Sequence, residues 1–447
     1  MSNIVELVSR LARPATRAAL PVVAAALLWT GPAAAMTIEK VVSPGGIEAW
    51  LVSDDTVPLI AMDFAFDGAG SVQDPESKEG VADLLSTMLD EGAGDLDSAA
   101  FQARLADLNV RLSFDAGRDA FHGEMTTLSE NRDAAFDLVR LALTSPRFDA
   151  EPIARMRTQA ISQLRRSERD PDSIAGRLWA ATAFAGHPYG RPANGTEATV
   201  TALGRDDLAA FHDRAFAKDN LVIGVVGAID AATLAPLLDQ TFGGLPATAH
   251  LTPVPPTAPK SGARAEDTFE SPQTVIRFGG PGLLRSDPDF IPAFVMNHIL
   301  GGGTFTSWLF EEVREKRGLA YSIYTYLLPY DQAGVFAGGT STSADKTAEV
   351  VGLIETEVRR MATTGPSEQE LADAKRFLTG SFPLRFDSSA KIASQLVGLQ
   401  LDGLDAGYID ERNALIEAVT LEDLRRVAKR LLDAGDLTVV TVGPKAS

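Results

Sequence analysis

Asn220-Leu221-Val222-Ile223-Gly224-Val225-Val226-Gly227 returns, 216 residues further on, as Asp436-Leu437-Thr438-Val439-Val440-Thr441-Val442-Gly443. Each octet is a β-rich run closed by glycine, the pattern of a buried strand. The likeness extends upstream without a gap: Asp206-Asp207-Leu208 matches Glu422-Asp423-Leu424, and Arg214 falls on Arg430. Each unit therefore reads as amphipathic helix, turn, strand. Two further matches keep the same order. Phe66-Asp67-Gly68-Ala69-Gly70 answers to Phe278-Gly279-Gly280-Pro281-Gly282 at an offset of 212, and a helix over 133–143 answers to one over 347–359 at about 214. Three matches in one order at nearly one offset describe a module written twice.

Between the copies, residues 245–262 are rich in Pro and Thr and have no hydrophobic period, so they read as an extended, semi-rigid linker. The expected organisation is a signal segment over 1–35, a first domain over 36–244, the linker, and a second domain over 263–447. Each half runs strands, a helix pair, more strands, long charged helices and a last helix–strand unit. That mixture predicts an α+β fold of two homologous halves, each a mostly antiparallel sheet covered by helices on one face.

Composition narrows the chemistry. The chain has 447 residues, 41 Lys and Arg against 60 Asp and Glu, and a formal charge of −19. An acidic chain with no basic stripe repels a phosphate backbone, which argues against nucleic-acid binding. There is no Cys, so disulfides, thiolate nucleophiles and Cys-ligated zinc are excluded. Arg10, Arg13 and Arg17 precede an uncharged stretch from Ala18, and Ala33-Ala34-Ala35 suits a signal peptidase. The expectation is export to the periplasm or beyond, with no stable membrane insertion after removal; the alternative is a retained anchor at the lower limit for spanning.

Gly80-Val81-Ala82 at the start of a helix, Gly186-His187-Pro188-Tyr189-Gly190, and Leu309-Phe310-Glu311-Glu312-Val313-Arg314-Glu315-Lys316-Arg317-Gly318-Leu319-Ala320-Tyr321 resemble the pitrilysin/insulinase-type zinc peptidases, which include mitochondrial processing peptidase. The resemblance spans nearly all of 37–447. Active members carry H-x-x-E-H: two imidazoles one turn apart hold zinc and the Glu activates its water. Here the aligned residues are Asp83, Ser86 and Thr87, and the place of the third ligand, 76 residues after Thr87, is taken by Gln163. The resemblance therefore implies a degenerate metal site, with no metal or other cofactor in this chain and zinc in a partner.

No other constellation takes over. None of the five His lies three to five residues from another. His122-Gly123-Glu124 has the H-x-E form of zinc deaminases but lacks their Cys pair. His187 reads as part of a structural turn, no G-x-S-x-G elbow occurs, and Asp90-Glu91 reads as a solvated helix end. Gly301-Gly302-Gly303-Thr304 reads as a tight turn at the domain surface, lining a chamber, before an amphipathic helix over 306–316, with Thr304 placed to cap it. Arg314 and Tyr321 match positions that, in the resembling family, bind substrate and stabilise the tetrahedral intermediate from the second half; guanidinium and phenol both donate to a developing oxyanion. An empty metal half beside an intact Arg/Tyr half implies the non-catalytic, substrate-binding subunit of an exported heterodimeric zinc peptidase, partnered by an H-x-x-E-H homologue and a peptide substrate. The alternatives are a scaffolding homologue like the core proteins of the respiratory bc complex, and an autonomous peptidase with a rearranged site.

Overall fold

The computed structural model describes residues 36–432 and 436–445, so the signal segment expected over 1–35 lies outside it. From Ile38 onward the chain packs as one compact unit. No helix among the described residues is long and apolar enough to cross a membrane.

Two mixed sheets carry the architecture. The first contains β1 (Glu39–Val42), β2 (Glu48–Ser53), β3 (Leu59–Phe66), β4 (Arg111–Ala116), β5 (Phe121–Leu128) and β6 (Leu221–Gly227), in the order β1-β2-β6-β3-β5-β4. The second contains β7 (Arg264–Thr268), β8 (Gln273–Pro281), β9 (Ala320–Tyr330), β10 (Ala333–Ser343) and β11 (Thr438–Gly443), in the order β7-β11-β8-β10-β9. The octets at 220–227 and 436–443 carry β6 and β11. Each lies parallel to the first neighbour (β2 or β7) and antiparallel to the next (β3 or β8). Their Val and Ile side chains alternate between faces and are buried on both, which is why these runs are apolar throughout.

The first half adds helices α1 (Val81–Ser86), α2 (Ser98–Asp107), α3 (Arg132–Thr144), α4 (Ala150–Ser167), α5 (Pro171–Ala183), α6 (Glu197–Ala202), α7 (Arg205–Ala215) and α8 (Ala231–Phe242). The second adds α9 (Phe290–Asn297), α10 (Thr347–Thr363), α11 (Glu368–Gly380), α12 (Ser389–Leu401), α13 (Tyr408–Ala418) and α14 (Leu421–Leu432). In α14 the buried residues Leu424, Val427, Ala428 and Leu431 recur at helical spacing and form one apolar stripe. Each half has its own core: Phe64, Phe66, Ile223 and Val225 with α3 and α8 in the first, and Phe278, Phe336 and Val439 with α9, α10 and α14 in the second.

The opposite face of each sheet receives a helix from the other half. On the first sheet, Ala65 and Val222 meet Val397 and Leu401 of α12. On the second, Val275, Val440 and Val442 meet Ala175, Ile174 and Leu178 of α5. Glycines allow the approach: a Cβ on Gly224 would stand 2.6 Å from the Ala393 carbonyl, and one on Gly279 would stand 2.7 Å from the Trp179 ring. The linker is tied down along its length, through Thr252 N–H to Gln73 Oε1 (2.8 Å), Thr257 N–H to the Gln332 carbonyl (2.9 Å) and Lys260 N–H to the Ala183 carbonyl (2.8 Å).

Two local expectations need correction. The helix over 306–316 is a 3₁₀ turn at Thr304–Thr306 followed by a short helix that widens to π geometry over Phe310–Glu315. Thr304 does not cap it; its φ of +48° places it in the left-handed region and no side-chain cap forms. Asp90-Glu91 is not simply a solvated end either. The pair lies in the turns after α1, which ends at Ser86, and Glu91 is buried and takes two hydrogen bonds from Arg155 of α4 (3.2 and 2.7 Å).

Candidate functional site

Helix α1 is pinned at its start. The Asp74 carboxylate accepts the N–H groups of Gly80 (2.7 Å) and Ala82 (3.1 Å), two of the donors a helix N-terminus leaves free. Gly80 has φ +88°, and a Cβ there would stand 2.7 Å from the Asn194 carbonyl, so glycine is required by both conformation and space. The pinned helix turns Asp83 and Thr87 toward a cavity of about 880 Å³ whose wall also includes Gln163 of α4. The fold thus brings together three of the four positions singled out in the first half. Ser86 is buried behind them, its hydroxyl donating to the Asp83 carbonyl (2.7 Å).

The donors do not fit zinc. Such a site needs three N, O or S ligands plus water, and of the four aligned positions only Asp83 offers an anionic oxygen. It already accepts a hydrogen bond from Asn194 Nδ2 (2.7 Å). The Thr87 hydroxyl donates to the Leu84 carbonyl (2.8 Å), and the Gln163 carbonyl oxygen accepts from Arg166 Nε (3.1 Å) and Nη2 (2.5 Å). Arg118, Arg166, Arg177 and Arg191 all line the cavity, against the carboxylates of Asp83 and Glu168. A divalent cation would sit among guanidinium groups. Burial raises the Asp83 pKa, the Asp115 charge adding and the Asn194 hydrogen bond opposing, which weakens the remaining anionic donor further. Among the described residues no cluster of three His, Asp or Glu is arranged to hold a metal.

The other named turn is structural. His187 Nδ1 accepts the Tyr189 N–H (3.1 Å) while Nε2 meets the Pro255 carbonyl of the linker (2.9 Å). The Tyr189 hydroxyl donates to Asp119 (2.7 Å) and accepts the Gln332 N–H (3.0 Å), so this turn fastens the first half to the β9–β10 turn. His122, on β5, has its pKa lowered by burial, with Asp115 and Glu124 opposing.

Arg314 and Tyr321 come together in the second half. The Arg314 guanidinium lies 5.1 Å from the Tyr321 ring, 4.7 Å from Phe310 and 5.9 Å from Phe305. Its nearest carboxylate, Glu315, is 3.9 Å away. Tyr321 is 84% exposed and Phe305 70%. The π turn carries Arg314, and β9, which carries Tyr321, is the free edge of its sheet. Neither residue is on the wall of the Asp83 cavity. The pair is an aromatic surface patch with a half-buried guanidinium among the rings. Sequence reasoning missed Arg118, from the β4–β5 turn, and Arg191 and Asn194, from the loop before α6, polar side chains that come to the Asp83 cavity; no motif or period marks them.

The comparisons fall on these two regions. The model described as "Insulinase (Peptidase family M16)" matches residues 66–197, which carry Asp83 and Gln163. "Peptidase M16 inactive domain" matches residues 202–378, which carry Arg314 and Tyr321. A protein named "Non-peptidase homolog YmxG" from Helicobacter pylori is 27% identical over 394 residues, 87% of this chain and 90% of the relative. "Mitochondrial-processing peptidase subunit beta" from Lentinula edodes is 24% identical, covering 84% of this chain and 83% of the relative. A crystal structure of a peptidase M16 inactive domain from Pseudomonas fluorescens superposes with TM-score 0.86 at 28% identity, covering 92% of this chain and 98% of that one. The two family models together take in most of the chain, and the metal positions hold Asp83, Ser86, Thr87 and Gln163: the protein belongs to peptidase family M16, among its inactive members.

Proposed function

We propose that this chain is the non-catalytic, substrate-binding subunit of an exported two-chain zinc peptidase. Its partner carries H-x-x-E-H and the zinc, and Arg314 and Tyr321 reach that partner's site. The observation that carries the reading is the Arg314–Tyr321 patch: two hydrogen-bond donors gathered at an exposed sheet edge, away from the chain's own cavity. A guanidinium set 5.1 Å from the centre of a phenol ring brings two donor side chains together, which suits an oxyanion on a bound peptide, whose charge grows in the transition state. Exposed rings such as Phe305 and Tyr321 also suit burial against a second protein. A relative named as one subunit of a processing peptidase supports the assembly. A scaffold has no use for exposed oxyanion donors. Residues 1–35 supply the export signal, which places the pair in the periplasm or outside the cell.

The test is co-expression with an H-x-x-E-H homologue from the same genome, then sizing and peptide hydrolysis. Association with turnover that depends on both chains is expected; two separate monomers, or turnover by the partner alone at the full rate, would overturn the reading.

A further inference from the structure

A second cavity, of about 490 Å³, lies within the second half, where α9, β9, α12 and α13 converge. Gly302, the middle glycine of the run, forms part of its wall. Residues His298–Gly302 make a π turn, a feature frequent at functional sites. A Cβ on Gly301 would stand 2.5 Å from Thr325 Oγ1, and one on Gly302 would stand 2.6 Å from Asn297 Nδ2. The glycines let this turn press against Thr325 and Asn297.

The polar groups of the wall are poorly matched to one another. Arg285, Arg385 and Arg412 line it, with Asp402 as the one carboxylate, and Asp402 is paired with Arg285 at 3.0 Å. Arg412 is 7% exposed. Its guanidinium lies 4.2 Å from the Phe382 ring and 5.7 Å from Phe294, and Nη1 donates to the Leu378 carbonyl and Asn413 Oδ1, both at 3.2 Å. No carboxylate pairs with it among the described residues. Burial pulls its pKa down, with the charges of Arg385 and Arg285 adding and Tyr408 opposing. A guanidinium nonetheless stays charged, and a buried charge without a counter-ion is costly. On the same wall Asn297 Oδ1 and Thr325 Oγ1 lack hydrogen-bond partners, in residues only 6% and 3% exposed. The Asn297 amide is oriented by its Nδ2, which donates to the Thr325 carbonyl (3.3 Å). An unbalanced buried guanidinium, with Arg385 on the same aromatic-walled cavity, is the complement of an anionic ligand.

We propose that this cavity binds a small apolar carboxylate, its carboxyl group on Arg412 and Arg385 and its apolar body on Phe294, Phe382 and Phe386. The volume is that of a small-molecule site. The last residue of a peptide and a free small acid share this carboxyl group, and the peptide end adds an amide beside it. The site is in the second half and does not depend on any metal or on the Arg314–Tyr321 patch.

Calorimetric titration of the whole chain with N-acetyl-phenylalanine, its C-terminal amide and 3-phenylpropionate tests this. One-to-one saturable binding of N-acetyl-phenylalanine is expected, with the amide at least about tenfold weaker because charge-assisted hydrogen bonds are lost. Weaker binding of 3-phenylpropionate assigns the site to peptide ends, and equal or tighter binding assigns it to free acids. Arg385→Ala, at an exposed position, should weaken binding about tenfold. Arg412→Met should abolish it while leaving the melting temperature equal or higher, since it removes a buried unpaired charge at similar volume. If Arg412→Met does not fold, Arg385→Ala decides. Absence of saturable binding by either acid, equal binding of the amide, or wild-type affinity in folded Arg385→Ala and Arg412→Met would overturn the proposal.

Discussion

Tyr321 is the side chain whose role can be isolated with least disturbance, because Phe keeps the ring over Arg314 and removes one hydroxyl. In the reconstituted pair, Tyr321→Phe and Arg314→Ala should each lower turnover by about 10²–10³, the usual cost of one oxyanion donor, with melting temperature and association near wild type. Steady-state kinetics separates the cases, and unchanged turnover in an intact complex would point to the scaffold reading. A different side chain governs the response to pH. Asp63, buried on β3 opposite Glu124, leaves Oδ1 without a partner. Burial, with the Glu124 charge adding and the Ser394 hydroxyl of α12 opposing, pushes its carboxyl up to about 7 from an ordinary 3.8. As pH rises from about 4 to 7 the unfolded chain ionises there and the folded chain does not, so stability falls across that window and the full cost is present above it. Asp74 and Asp331, both raised to about 7 mainly by burial, act in the same direction. Asp63→Asn should therefore raise stability at pH 8 by about 1–4 kcal/mol and flatten the decline between pH 4 and 7; denaturant melts across that range check it, and an unchanged slope would count against it.

Among the elements, α12 and α5 matter most to the coherence of the chain, since each leaves its own half to cover the other's sheet. Gly224 decides how closely α12 lies on β6: the Ala393 carbonyl and Leu396 Cβ stand 2.6 and 2.9 Å from where its Cβ would be. No rotamer change relieves a backbone clash. Gly224→Val should destabilise the fold by about 1–3 kcal/mol through overpacking, with the loss largest in probes of α12 such as amide exchange over residues 389–401. A melting temperature equal to wild type would mean that α12 can shift at no cost. The π turn at Phe310–Glu315 is the other decisive element, because it sets Arg314 among the rings of Phe305, Phe310 and Tyr321.

For the molecule as a whole, the two expectations concern what it binds. A site shared between two chains must be enclosed by both, so a stable one-to-one complex with the H-x-x-E-H homologue is expected, burying more than about 1,000 Å². Sizing at micromolar concentration reads this directly, and an interface patch including Phe305 and Tyr321 should become protected from exchange. The isolated chain should carry no stoichiometric zinc, since Asp83 stands among arginines and Thr87 and Gln163 are engaged elsewhere. Elemental analysis of protein prepared without chelator, showing one tightly held zinc per chain, would refute that.

The fold class, the strands at 221–227 and 438–443, the family and the degenerate metal positions were legible in the sequence. Local periodicity and spacing along one chain encode them: buried strands are apolar on both faces, and Asp83, Ser86 and Thr87 stand side by side where two imidazoles and a base would be recognisable. The rest was decided by tertiary structure, because it depends on residues distant in the chain. Asn194 and Arg191 come from a loop, Arg118 from the β4–β5 turn and Gln163 from α4 to make one cavity, and no spacing rule links them. The crossed placement of α5 and α12 follows from glycines that look unremarkable in a strand until another helix lies on them. The glycine run at 301–303 reads as a turn in sequence, whereas its purpose, close approach to Asn297 and Thr325 beside the buried Arg412, exists only once β9 and α13 are packed around it. Arg314 and Tyr321 were found by motif, but their exposure at a free sheet edge was not, since what a side chain faces is a property of the assembled surface.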